Sequence, residues 1–187
     1  MSLTVIISPM FSGKSSFLIN KSYTLSKMNF RCLLINHSLD NREDTTFSCH
    51  NKLFNLSILE KLISNTKVSS LENIDVMNYD YIFVDEFQFF NNRDVSQIFQ
   101  WVNDFKKNVF VAGLKSDWKN EKFGHIIDLI PAADDVIILK SLCSTCANEG
   151  KHIEASFTKR LTTNDKETIV IGAQDIYLPV CRKHYDM

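Results

Sequence analysis

The chain has 187 residues, 44% of them hydrophobic, enough for one sizeable core with a small appendage. A net charge of −1 leaves no basic field to draw it to nucleic acid. No apolar run approaches the ~20 residues of a membrane span, and the N-terminus lacks the basic-then-apolar pattern of a signal peptide, so a cytoplasmic protein is expected. In a reducing compartment an odd number of cysteines, five, points to metal or redox chemistry and not to a disulfide scaffold.

Leu3, Val5, Ile6 and Ile7 form a short apolar, partly β-branched run that reads as a buried strand. It leads into Ser8-Pro9-Met10-Phe11-Ser12-Gly13-Lys14-Ser15, after which Ser15 to Lys27 has helical spacing. Strand, loop and helix, with Gly-Lys-Ser at the junction, is the layout of a phosphate-binding P-loop. Gly13 lets backbone N–H groups approach phosphate oxygens. Lys14, expected to sit exposed at the loop, brings a positive charge to the β- and γ-phosphates. Ser15 offers a hydroxyl to Mg²⁺, and the helix N-terminus favours anions. Ser8 stands where a glycine usually opens the motif, and serine tolerates positive φ poorly.

Phe30 to Ile35 reads as a second buried strand that closes a β-α-β unit. Asn36 to Lys52 is polar and loop-like, Ile58 to Ile63 suits a short helix, and Ser69 to Asn78 suits a connector with some helix. Tyr81 to Val84 is an apolar strand running into Asp85 and Glu86. An acid ending a strand downstream of a P-loop suits Mg²⁺, usually held through water; taken alone, the two acids would sooner end a strand or cap the helix that follows. Val95, Ile98, Phe99, Val102 and Phe105 recur with helical period, Val109 to Gly113 is another strand, Phe123 to Ile130 reads as a short helix before Pro131, and Val136 to Leu142 as a further strand. Such alternation predicts an α/β fold with a mostly parallel sheet and helices on both faces. Ligands then lie beyond the carboxyl ends of the strands, where the P-loop and Asp85-Glu86 fall.

The composition shifts at Cys143 to short strands and polar loops, which divides the chain into an expected nucleotide-binding domain, 1–142, and a small metal-binding domain, 143–187. Cys143-x-x-Cys146 and Cys181-x-x-His184 are two short pairs separated by thirty-four residues. Zinc takes four tetrahedral sulfur and nitrogen ligands, and each short spacing lets one turn present two. With no position left open the site is expected to be structural, and the interval requires a large looped excursion. Cys32 is expected in the core, Cys49 has no assigned role, and His37, His50, His125 and His152 lack ligand spacing.

These motifs, together with Asp40-Asn41-Arg42, Asp85-Glu-x-Gln-Phe-Phe90, Phe157-Thr-Lys-Arg-Leu161 and the Gly172 to Tyr177 segment, resemble the type II, zinc-containing thymidine kinases over nearly the whole chain, Leu3 to Tyr185. The short chain is most similar to the poxvirus members. The resemblance implies a P-loop, RecA-like α/β domain with a zinc-bound lasso domain, and transfer of the γ-phosphoryl of ATP, with Mg²⁺, to the 5′-hydroxyl of thymidine. It implies Glu86 as general base and Ser8 to Ser15 with Asp40, Arg42, Asp85 and Gln88 around ATP and its phosphates, Ser15 and Asp85 serving Mg²⁺. Met10, Phe89, Leu114, Trp118 and Phe123 match the thymine pocket. Thr168, Ile169, Val170, Ile171, Gly172 and Tyr177 match the stretch that closes over the nucleoside. A homotetramer is also implied. Lys115-Ser116-Asp117-Trp118 departs from the usual Asp-Gly-Thr-Phe and touches the base pocket, and Gly172-Ala173-Gln174-Asp175 follows the usual Gly-Gly-x-Asp only loosely.

Two other functions fit the P-loop. A RecA-type ATPase with a zinc ribbon would need a basic track or interleaved aromatics for nucleic acid, and this near-neutral chain has none. A regulatory nucleotide binder would need no base beside Asp85.

Overall fold

A computed structural model of the chain describes residues 1–40, 63–161 and 176–186. Six strands, β1 (Ser2–Ser8), β2 (Cys32–His37), β3 (Ser64–Val68), β4 (Tyr81–Val84), β5 (Asn108–Leu114) and β6 (Asp135–Ile138), form one sheet in the order β3-β2-β4-β5-β1-β6. Every adjacent pair is parallel. The strand that feeds the P-loop, β1, and the strand that ends in Asp85, β4, therefore flank β5.

Alternate residues of each strand point to opposite faces, and both faces are covered. On one, Leu3, Val5, Ile82, Val84, Val109 and Val111 meet Val95, Ile98, Trp101 and Val102 of helix α2 (Asn92–Asn103), with Leu71, Val76 and Leu129. On the other, Ile6, Leu34, Phe83, Phe110 and Ala112 meet Leu18, Ile19 and Leu25 of helix α1 (Lys14–Lys27). Phe83 and Phe110 stack there with centroids 5.0 Å apart. Burial on both sides explains why these strands read as continuous apolar runs.

Helix α2 starts on a capping box. The Asn91 side chain accepts from Arg93 N at 2.7 Å, and Asp94 accepts from Asn91 N at 2.9 Å. Asp94 is fully buried, and its other oxygen accepts from Leu71 N at 2.7 Å and from the Ser70 hydroxyl at 3.0 Å. One carboxylate thus ties the connector after β3 to the start of α2.

Four sequence expectations change. Strand β3, Ser-Asn-Thr-Lys-Val, was not foreseen; it lies at a sheet edge, is only partly covered, and so carries polar residues. Asn36 and His37 extend β2 instead of opening a loop. The segment before Pro131 is a 3-10 helix, Ile126–Ala132, that contains Pro131. Val136 to Leu142 is not one strand: β6 stops at Ile138, Leu139 N donates to Ile7 O at 3.0 Å, and the chain leaves the sheet. Ser141–Leu142 (β7) pairs antiparallel with Glu154–Ala155 (β8) in a separate two-stranded sheet. The expected helix at Ile58 to Ile63 lies outside the described residues except for Ile63, which is buried against α1.

Past β7 come a short helix α3 (Ser144–Asn148), β9 (Phe157–Arg160), β10 (Tyr177–Val180) and a short helix α4 (Arg182–Tyr185), with β9 and β10 antiparallel. Cys143, Cys146, Ala155, Phe157 and Val180 form their own small core.

Candidate active site and metal centre

The P-loop turns on two left-handed residues. Gly13, the N-cap of α1, has φ 82°, and a Cβ there would meet nothing within 4 Å. Glycine is needed for its backbone angle and not for space. The other is Phe11, at φ 58°. Ser8 is not among the residues of positive φ, so serine is unstrained where the motif usually opens on glycine. Its fully buried hydroxyl lies 3.0 Å from Pro9 O, 2.5 Å from Ser12 Oγ and 3.1 Å from Lys14 Nζ. Lys14 is buried, contrary to its expected exposure, because its ammonium folds back onto Ser8 Oγ and Pro9 O, the latter also at 3.1 Å.

The two adjacent acids after β4 diverge. Asp85 is buried, bonded to the Ser15 hydroxyl, and accepts from Glu86 N at 2.9 Å. Burial, and then the neighbouring charge of Glu86, push its carboxyl up to about 6, against the pull of Ser15 and Lys14. Glu86 has φ 54° and ψ 39°, a left-handed conformation that turns its side chain out of line with the strand. Its carboxylate accepts from Gln88 Nε2, and Gln88 Oε1 accepts from Leu114 N at 3.0 Å. Ser15 and Asp85 therefore face the P-loop together, while Glu86 and Gln88 face the end of β5. Asp40, buried at the end of the chain segment that carries the Asp-x-Arg motif, accepts from Asn36 Nδ2 at 2.9 Å, and its carbonyl accepts from Lys67 Nζ. Arg42 lies outside the described residues.

An aromatic wall adjoins Glu86. Phe89 and Phe123 meet edge to face at 5.9 Å, and His37 lies 5.7 Å from Phe89 and 4.6 Å from Phe90. His37 is a buried, satisfied residue: its Nδ1 accepts from Leu39 N at 3.1 Å, and burial pushes its ring below the usual histidine range. The Trp118 ring has Lys119 at 5.0 Å and Arg160 at 5.5 Å, and its carbonyl accepts from Tyr185 Oη at 3.0 Å. Among the described residues, buried Trp118 Nε1 has no hydrogen-bond partner. Tyr177 is buried and pairs with Arg160 across β9 and β10. Thr168, Ile169, Val170, Ile171 and Gly172 lie outside the described residues.

Cys143, Cys146, Cys181 and His184 come together, with all four ligand atoms within 4.8 Å of one another. His184 Nδ1 is 3.4 Å from Cys143 Sγ, 3.4 Å from Cys146 Sγ and 3.5 Å from Cys181 Sγ, and the Cys146 and Cys181 sulfurs are 3.9 Å apart. Zinc bonds of roughly 2.3 Å to sulfur and 2.0–2.1 Å to nitrogen give tetrahedron edges of about 3.5–3.8 Å, so these residues fit a Cys₃His ion. Burial pushes the Cys146 thiol up to about 11, reinforced by Cys143 and Cys181. Burial also raises Cys143, but the N–H groups of Cys146 and Cys181 and the His184 ring outweigh it and bring that thiol to about 6. A dication would relieve this crowding of sulfurs.

Three contacts that no motif announced join this cluster to the P-loop. Met10 N donates to Thr158 Oγ1 at 3.0 Å, Ser141 Oγ donates to Phe11 O at 3.0 Å, and Lys159 Nζ donates to His184 O at 3.0 Å. They link residues far apart in sequence, so spacing could not reveal them. Phe157 adds a cation–aromatic cluster, with Lys115 and Arg182 at 4.8 and 4.7 Å and Tyr185 stacked at 5.0 Å.

Known proteins agree with this layout. The flagellar accessory protein FlaH of Methanocaldococcus jannaschii superposes with a TM-score of 0.53 over 76% of this chain and 72% of its own, at 14% identity, a likeness of fold alone. The thymidine kinase of Amsacta moorei entomopoxvirus is 35% identical across all of this chain and 98% of its own length. That of fowlpox virus is 36% identical over 97% and 95%. The thymidine kinase family model matches residues 1–185, and the chain belongs to the thymidine kinase family.

Proposed function

We propose that this chain transfers the γ-phosphoryl group of ATP to the 5′-hydroxyl of thymidine, with Glu86 as general base. The observation that carries this reading is the divergence of two neighbouring carboxylates: Asp85 is tied to Ser15 of the P-loop, and Glu86, in a left-handed backbone conformation, is bonded instead to Gln88 at the end of β5. A pure nucleotide binder has no use for the second acid.

The P-loop backbone and Lys14 hold the phosphates, Lys14 exchanging Ser8 Oγ and Pro9 O for phosphate oxygens. Ser15 and Asp85 would hold Mg²⁺, which would supply charge neutralisation at the phosphates. The 5′-oxygen bonds to the γ-phosphorus, the bond from that phosphorus to the β,γ-bridging oxygen breaks, ADP carries away the electron pair, and the 5′-OH proton passes to the Glu86 carboxylate. Asp40 and Arg42 are assigned to the phosphate side by resemblance; the resemblance implies Gln88 there too, but its amide spans Glu86 and Leu114 N instead. By the same resemblance Met10, Phe89, Leu114, Trp118 and Phe123 are assigned to the base, and Thr168 to Gly172 with Tyr177 to the nucleoside. Structural zinc sits on Cys143, Cys146, Cys181 and His184, residues 143–187 act as the lasso domain beside the 1–142 nucleotide-binding domain, and a homotetramer follows from the resemblance.

The test is ATP turnover with and without thymidine, on wild type, Glu86→Gln and Asp85→Asn, over a Mg²⁺ series. We expect thymidine-dependent turnover in wild type and a loss of about 10²–10⁴ in kcat for Glu86→Gln with both substrates still bound. Asp85→Asn should be partly rescued by raised Mg²⁺. Thymidine-independent turnover, or wild-type kcat in Glu86→Gln, would sink the reading.

A further inference from the structure

We propose that Gln88 is a positioning residue for Glu86: its amide clamps the carboxylate to the end of β5 and so sets the direction in which the base meets the nucleoside hydroxyl. The inference rests on the reading of Glu86 as base and goes beyond it.

Leu114 N–H can only donate, so the oxygen of the Gln88 amide must face it, and the 3.0 Å contact fixes that orientation. The amide nitrogen then faces Glu86, where it donates to Oε2. One amide thereby spans a strand end and a carboxylate, with no freedom to flip. Gln88 is 3% exposed and Glu86 6%, so water does not substitute readily for either partner.

The surroundings are shaped to this side chain. A Cβ on Gly113 would lie 2.7 Å from Gln88 Oε1 and 2.9 Å from Ile126 Cδ1. A Cβ on Gly124, at φ 62°, would lie 2.1 Å from Gln88 O. Two glycines thus leave the room that Gln88 fills, one at its amide and one at its backbone. Glu86 itself is a non-glycine residue in a left-handed conformation at the head of the 3-10 turn Phe87–Phe89. Such a conformation persists where neighbouring bonds over-determine it, and the Gln88 clamp, with Phe89 N donating to Glu86 O at 3.1 Å, supplies those bonds. A base held this way needs no search before attack, which is the preorganisation that catalysis rewards.

The experiment measures kcat, thymidine KM and melting temperature for Gln88→Leu, Gln88→Glu and Gly113→Ala from pH 5 to 9. Gln88→Leu keeps the volume and removes both bonds; kcat should fall about tenfold to a hundredfold while thymidine KM changes by less than about threefold. In Gln88→Glu one proton shared between the two carboxyl groups restores a donor to Glu86, and its loss sets two like charges together. The kcat of this variant relative to wild type should therefore rise as pH falls, whereas the Gln88→Leu ratio stays flat. Gly113→Ala leaves Gln88 chemically intact but displaces its oxygen, and kcat should drop here too, which keeps the test decisive if Gln88→Leu does not fold. Wild-type kcat in Gln88→Leu, or a pH-independent ratio for Gln88→Glu, overturns the inference. If Glu86→Gln loses activity while Gln88→Leu does not, only the clamp fails; if Glu86→Gln keeps activity, the base assignment itself fails.

Discussion

Asp85 and Ser8 show how single buried groups set the working range of this site. The Asp85 carboxyl is raised to about 6 by burial and then by Glu86, above the ordinary carboxylate value of 3.8. The folded chain then holds this proton more tightly than the unfolded chain, so stability falls as pH rises from about 4 to about 6 and stays lowered above. Asp85→Asn removes the ionisation. In the absence of nucleotide and Mg²⁺ its melting temperature should match wild type near pH 4 and exceed it by about 5 °C at pH 7, while its turnover falls and is partly restored by raised Mg²⁺. Calorimetry across pH checks this, and a constant difference between the two proteins would show that Asp85 is not the titrating group. Ser8 makes the opposite point. Its hydroxyl meets Pro9, Ser12 and Lys14 at full burial and with no positive φ to relieve. Ser8→Gly should therefore cost about 1 kcal/mol of stability, read as a lower melting temperature, and should not tighten ATP binding.

At the scale of elements, Asp94 joins the connector after β3 to the start of helix α2. Its carboxylate accepts from Asn91 N, Leu71 N and Ser70 Oγ, so Asp94→Ala would leave the buried Leu71 N–H without its partner and remove one half of the capping box, the Asn91 side-chain cap remaining. A loss of about 2–4 kcal/mol is expected by denaturant titration, with the zinc content unchanged. The sequence spelled out the elements whose chemistry is local. The buried strands β1, β2, β4 and β5 announced themselves by apolar runs, the P-loop by its Gly13-Lys14-Ser15, the metal centre by two paired spacings. Strand β3 stayed hidden because an edge strand with partial cover has no need of apolar residues. The Glu86–Gln88–Leu114 clamp and the Thr158 and Ser141 braces stayed hidden because their partners meet only after the sheet has brought its strand ends together.

At the scale of the whole molecule, the proposed zinc centre and the P-loop are mechanically continuous. The Cys₃His cluster fixes the ends of α3 and α4 against β9 through Lys159 Nζ and His184 O, and β9 in turn holds Met10 N through Thr158 Oγ1. Strand β7, two residues from Cys143, holds Phe11 O through Ser141 Oγ. Residues 10 and 11 of the P-loop are thus braced from outside the parallel sheet, Phe11 in a left-handed conformation that favours an external tie. Among the described residues, the small core of Cys143, Cys146, Ala155, Phe157 and Val180 holds few apolar side chains, so the proposed metal would supply much of its folding free energy. Purified wild type should therefore carry about one Zn per chain. Cys146→Ser should lose it and melt the 141–186 segments first, leaving the sheet that carries α1 and α2 folded at a higher temperature. Thymidine-dependent turnover should vanish, ATP affinity should fall by a smaller factor because Gly13, Lys14 and Ser15 remain anchored on α1, and hydrogen exchange at the Met10 amide should accelerate with zinc loss. Metal analysis, calorimetry and exchange on the same variant read all three. Protection of the Met10 amide that is unchanged in the zinc-free protein would show that the brace does not depend on the metal.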